Sequence, residues 1–87
     1  MVMQVELVSP ERILYSGEAD MVVARTTEGE IAFLTGHAPF IGALGAGNVS
    51  VTPAGGGAPT VAAVNGGFVE VSDNRVTVLS DEAELTD

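Results

Sequence analysis

Apolar side chains recur at every second residue from the start of the chain. Met3, Val5 and Leu7 alternate with Gln4, Glu6 and Val8, the period of two that marks a strand with one buried face. Ser9-Pro10-Glu11 breaks the run, and residues 12–16 read as a second short strand. Gly17 and Asp20 flank another break before residues 21–26, where Val22 and Val23 add β-branched side chains. Thr27-Glu28-Gly29 is a tight hairpin signal, because glycine tolerates the positive φ that short turns require. Residues 30–34 then return antiparallel, with Ile31 and Phe33 on one face and Glu30, Ala32 and Leu34 on the other.

The same reading continues to the end. Strands are predicted at 40–44, 48–52, 60–64, 68–72 and 75–79, with a last edge strand at 82–85. Turns are predicted at Gly45-Ala46-Gly47, Asn65-Gly66-Gly67 and Asp73-Asn74, and residues 53–59 form a long glycine-rich hairpin tip. No stretch longer than ten residues has helical periodicity. Many short strands with closely spaced turns, in a chain of 87 residues, specify one all-β domain, a sandwich or a barrel.

Charge narrows the choice of partner. The net charge is −9, there is no lysine, and Arg12, Arg25 and Arg75 are the only arginines. Such a surface repels phosphate backbones, so no nucleic acid is expected, and it disfavours adsorption or insertion at anionic lipid. A partner with a basic patch fits better. Residues 31–69 contain no Asp, Glu, Lys or Arg, where a typical chain would carry about ten; part of that tract is expected to form a neutral patch covered by a partner. The absence of cysteine excludes disulfides, zinc-thiolate sites and cysteine catalysis. There is no secretory signal pattern and no apolar run near the roughly 18 residues that span a bilayer, so the chain is expected to be soluble and cytoplasmic.

Candidate chemistry is sparse. His37, the only histidine, sits in a Gly-x-x-Pro corner with Glu28 and Glu30 as the nearest carboxylates in sequence. A general base needs a positioned partner and a metal needs several ligands, so His37 reads as bonded to turn backbone or placed at an interface. Asp81, Glu82, Glu84 and Asp87 lack the spacing of a calcium loop. Gly45-Ala46-Gly47-Asn48-Val49-Ser50 is followed by no lysine and opens no helix, so it is not a phosphate loop. Asn48-Val49-Ser50 fits a glycosylation triplet without any sign of secretion, and no nucleophile elbow is present. No catalytic, cofactor-binding or metal-binding residue is expected, and the chain is not expected to be an enzyme. A stand-alone sandwich that binds a ligand or peptide is the alternative, and it would need a pocket with convergent polar groups.

Several stretches together resemble a known family. Gly29-Glu30 followed by Gly36-His37-Ala38-Pro39-Phe40, then Gly66-Gly67-Phe68-Val69-Glu70-Val71, then Val76-Thr77-Val78-Leu79-Ser80-Asp81, are similar to the epsilon subunit of F-type ATP synthases. The opening residues 5–11 and Tyr15-Ser16-Gly17 fit as well, so the resemblance covers nearly the whole chain. It implies a flattened, ten-stranded antiparallel β-sandwich. It also implies a non-catalytic central-stalk role, binding the gamma subunit and the c-subunit ring and coupling proton flow to ATP synthesis at the cytoplasmic face of the membrane. By the same resemblance Glu30, with Glu28, Arg25 and Thr26 sharing its hairpin tip, faces the c ring, and Ser9, His37 and Phe40 face gamma. Many members continue into two C-terminal helices that inhibit hydrolysis and in some cases bind ATP. This sequence stops at Asp87, where they would begin, so neither property is expected of it and residues 1–87 are expected to form a single sandwich domain.

Overall fold

In a computed structural model, which describes residues 2–86, every regular element is a strand: β1 (Met3–Val8), β2 (Ile13–Thr26), β3 (Gly29–Leu34), β4 (Phe40–Pro53), β5 (Thr60–Ser72) and β6 (Arg75–Thr86). They form one sheet in the order β1-β6-β5-β4-β2-β3, closed on itself by an additional β1–β2 pairing. The strand registers divide this closed sheet into two halves. One half contains residues 13–19 of β2, then β1, residues 75–79 of β6, 67–72 of β5 and 40–43 of β4. The other contains β3, residues 21–26 of β2, 46–53 of β4, 60–65 of β5 and 82–86 of β6.

The two halves face each other across one core. Met3, Val5, Leu7, Val69, Val71, Val76 and Val78 from the first half share a buried cluster with Val22, Ala24, Phe33, Val49, Val51 and Val64 from the second. The period-two pattern produces this directly, since alternate side chains of each strand point inward. Each buried Val, Leu or Phe contributes about 1.5–3 kcal/mol relative to exposure. The dimensions, 30 × 26 × 20 Å, are those of a small two-layer body.

Two expectations from sequence need correction. Six strands are present rather than ten, and the pairing is not wholly antiparallel, because β1 and β6 run parallel. The count differs because β2, β4, β5 and β6 each pass from one half to the other without a hairpin. Asn65-Gly66-Gly67 is the clearest case. Gly66 and Gly67 have φ of 82° and 113°, yet β5 keeps its register with β6 on both sides of them. A Cβ on Gly67 would collide with the Leu79 carbonyl oxygen. The positive φ therefore serves a bend and a close approach of β6, not a reversal of the chain. Gly45-Ala46-Gly47 likewise stays within β4. β1 and β6 lie at opposite ends of the chain, and a long connection leaves parallel pairing open to them.

The true reversals follow their sequence signals. Thr27-Glu28 joins β2 to β3. Asp73-Asn74 joins β5 to β6 with φ of 52° and 58° at its two residues, the left-handed geometry of a type I′ turn. Residues 54–59 link β4 to β5, anchored where the Ala54 N–H donates to the Glu18 carbonyl at 3.2 Å and the Gly55 N–H to Asp20 Oδ2 at 3.2 Å.

Candidate functional site

The β2–β3 tip is held by Thr26. Its hydroxyl donates to the Gly29 carbonyl at 2.8 Å and accepts from the Glu28 N–H at 3.1 Å. Thr27 N–H in turn donates to the Ala43 carbonyl at 2.9 Å and ties the tip to β4. Gly29, at φ 124°, completes the reversal. Glu28 and Glu30 are left exposed, and Arg25 and Glu30 are direct cross-strand partners on one face. The Arg25 stem lies over Gly47, where a Cβ would come within 2.8 Å of its Cδ. Thr26 shares the tip in sequence but not its exposure. It is buried, so its part there is to fix the turn rather than to meet a partner.

The corner that follows β3 is equally constrained. His37 N–H donates to the Leu34 carbonyl at 3.0 Å, and Gly36 N–H donates to Asn74 Oδ1 at 2.7 Å. The Asn74 carbonyl also accepts from Gln4 N–H at 2.9 Å, so one asparagine joins the β5–β6 turn, the start of β1 and the corner. His37 Nδ1 lies 2.7 Å from the Ala38 carbonyl; an acceptor there makes Nδ1 the protonated nitrogen. The imidazole stands edge-on to Phe33 with centroids 5.0 Å apart, and Phe40 lies 5.5 Å from the same ring. Both His37 and Phe40 are half-buried on the core aromatic. Ser9 is elsewhere, in the β1–β2 turn, where its N–H and hydroxyl both donate to the Arg12 carbonyl at 2.9 and 3.3 Å. The hydrogen-bonded corner and Ser9 thus sit at opposite ends of β1.

A third feature joins residues that no local motif connects. Val8 pairs with Ile13 and with Leu79, Leu79 with Phe68, and Phe68 with Ala43. Cross-strand partners share a face, so these five side chains form a row across all five strands of the first half, on its outer surface. Ile13, Phe68 and Leu79 are 62%, 58% and 53% exposed. Ile41, two residues before Ala43 on the same face, is 70% exposed. The adjacent row carries Glu70, Thr77 and Glu6 in register, so acids line one side of the apolar strip. Ser9 follows Val8 directly. The outward phase of Phe68 and Leu79 was readable from the buried phase of Val69 and Val78; the register that aligns them was not.

The structure also bears on the ligand-module alternative. An open groove of about 550 Å³ lies between the β1–β2 turn and the last strand, lined among others by Ser9, Glu11, Asp81, Glu82 and Glu84. Its carboxylate-rich, open lining differs from the enclosed, mostly apolar pocket that holds a small ligand. Among the described residues no group of three or more His, Asp or Glu side chains is placed to hold a metal ion, and no helix is long and apolar enough to cross a membrane.

The family described as "ATP synthase, Delta/Epsilon chain, beta-sandwich domain" matches residues 2–86. The chain belongs to this ATP synthase delta/epsilon family. Within it, the chain is similar to the ATP synthase epsilon chain of Streptomyces coelicolor, 46% identical over 85 residues that make up 98% of this chain and 68% of that one. It is 45% identical to the epsilon chain of Frankia casuarinae over 86 residues, 99% of this chain and 100% of that one. Among solved structures, a chain of the Euglena gracilis mitochondrial ATP synthase OSCP/F1/c-ring assembly superposes with a TM-score of 0.88 at 26% identity, over 97% of this chain. This chain spans about half of that one, 53% of its length. A chain of the Tetrahymena thermophila mitochondrial ATP synthase central stalk and c ring shares the fold, with a TM-score of 0.73 at 18% identity over 94% of this chain and 65% of that one.

Proposed function

We propose that this delta/epsilon-family chain is a non-catalytic rotor subunit of a proton-translocating ATP synthase, seated between the gamma subunit and the c ring and coupling proton flow to ATP synthesis. The observation that carries the reading is the apolar row Ile13-Val8-Leu79-Phe68-Ala43, an outer sheet face with exposed large side chains in a chain of net charge −9. A face of this kind is stable in water only while small, and it marks a protein partner. Family membership supplies gamma as that partner, with Ser9 beside the row and the His37–Phe40 corner at the far end of the same half.

The exposed β2–β3 tip supports the second contact. Glu28 and Glu30, with Arg25 beside them, are held rigidly by the Thr26 bonds and free of the core. An acid presented this way to a basic c-ring loop contributes about 0.5–2 kcal/mol, more to register than to affinity. The subunit is then peripheral, on the cytoplasmic face of the membrane, and holds no cofactor or ATP of its own. Size-exclusion chromatography with purified gamma tests the reading. A one-to-one complex is expected at micromolar concentration; two separate peaks at that concentration overturn it.

A further inference from the structure

Strand β3 ends the second half as an edge, and among the described residues it pairs only with β2. Which of its backbone groups are free follows from the turn. With two residues, Thr27 and Glu28, in the loop, the closing pair Thr26↔Gly29 is a hydrogen-bonded pair, and so are Ala24↔Ile31 and Val22↔Phe33. Glu30, Ala32 and Leu34 alternate with these and direct their N–H and C=O groups away from β2. The Leu34 carbonyl confirms the phase, since it accepts from His37 N–H outside the strand pairing. The groups left to an incoming strand are the N–H and C=O of Glu30 and Ala32 and the N–H of Leu34.

Edges of this kind are usually blunted by proline, a bulge or several charges. β3 has no proline, its register with β2 has no shift, and Glu30 is its single charged residue. The exposed side chains beside the free groups are Glu30, Ala32 and Leu34, two of the three apolar. The strand also runs directly from the Glu28–Glu30 tip to the His37 corner, so its edge is continuous with the surface assigned to gamma.

We infer that β3 is a docking edge that takes one extended segment of the gamma subunit as an added strand. The inference rests on the rotor reading above and names a contact within it. Charge selects the occupant. A second copy of this chain would bring a further −9 to an edge that begins with Glu28 and Glu30, whereas an uncharged or basic segment meets no such repulsion.

Amide hydrogen exchange on the chain, free and in complex with purified gamma, tests this. The Glu30 and Ala32 amides, unbonded in the free chain, are expected to slow at least tenfold in the complex. Ala32→Pro removes an outward N–H and leaves the β2 bonds intact, a position where an edge tolerates proline. It is expected to weaken gamma binding roughly tenfold, while Ala32→Ser binds as the parent does. A complex in which both amides exchange as fast as in the free chain overturns the inference and leaves the rotor reading standing, even if Ala32→Pro fails to fold. A chain that self-associates in sedimentation and loses that property with Ala32→Pro overturns the choice of occupant. If no complex with gamma forms at all, the rotor reading fails and the inference falls with it.

Discussion

Truncating Phe68 to alanine separates binding from folding at the centre of the apolar row. A phenylalanine side chain that becomes fully buried removes about 150–250 Å² from water, and 58% of Phe68 is exposed in the free chain. Coverage by gamma therefore buries a further ~90–145 Å². At about 25 cal/mol per Å², less the share an alanine retains, Phe68→Ala costs about 2–3 kcal/mol of association, roughly 30- to 150-fold in Kd. The core beneath is untouched, because Val69 and Val71 hold the inward positions of β5, so stability changes by no more than about 0.5 kcal/mol. Isothermal titration against purified gamma gives the Kd, and thermal unfolding gives the control. A Kd within twofold of the parent, with unchanged Tm, refutes the assignment of this face. Leu79 is the cross-strand partner of Phe68, so the double truncation is expected to be non-additive.

Four further substitutions address the tip, the β5 bend and a loop control. Glu30→Lys is expected to lower proton pumping by reconstituted membranes while gamma affinity holds; lost gamma binding with normal pumping would show the two contacts reversed. Thr26→Val strips two hydrogen bonds from the tip and is expected to cost about 1–2 kcal/mol, visible as a fall of roughly 4–16 °C in Tm. Gly67→Ala combines a left-handed φ with a collision against the β6 backbone and is expected to cost about 3 kcal/mol or more in denaturant unfolding. Gly57→Ala shares the positive φ but meets no atom within 4 Å, so it is expected to cost only about 1–2 kcal/mol; equal losses at the two sites would contradict the account of the β5 bend.

What could be read from sequence tracks how local the determining interaction is. The inward phase of Met3, Val5 and Leu7, or of Val76 and Val78, follows from alternation alone, and all five are fully buried. The Thr27-Glu28 and Asp73-Asn74 reversals are two-residue events signalled by their own residues. Glycine is where the reading divides. At Asn65-Gly66-Gly67 the chain needs the same φ for a bend as for a turn, and only the approach of Leu79 and Ser80 from β6 decides between them. The parallel β1–β6 pairing and the row from Ile13 to Ala43 depend on strand registers set by the whole core, and no window of sequence contains them. Thr26 shows the limit for site residues: proximity to Glu28 and Glu30 placed it at the tip, while its burial depends on the neighbouring strand. The uncharged tract 31–69 maps partly onto the apolar face, contributing Ala43 and Phe68 to the row and Ile41 beside it, whereas Val8, Ile13 and Leu79 come from the charged remainder of the chain.

The most direct measurement is a methyl chemical-shift map of the chain titrated with purified gamma. The rotor account expects the largest changes at Ile13, Ile41 and Leu79 on the apolar face, with Val61 and Ala63 of β5, on the outer surface of the other half and separated from β3 by β4 and β2, unmoved. Changes confined to Val61 and Ala63, with Ile13, Ile41 and Leu79 unaffected at saturating gamma, would contradict it.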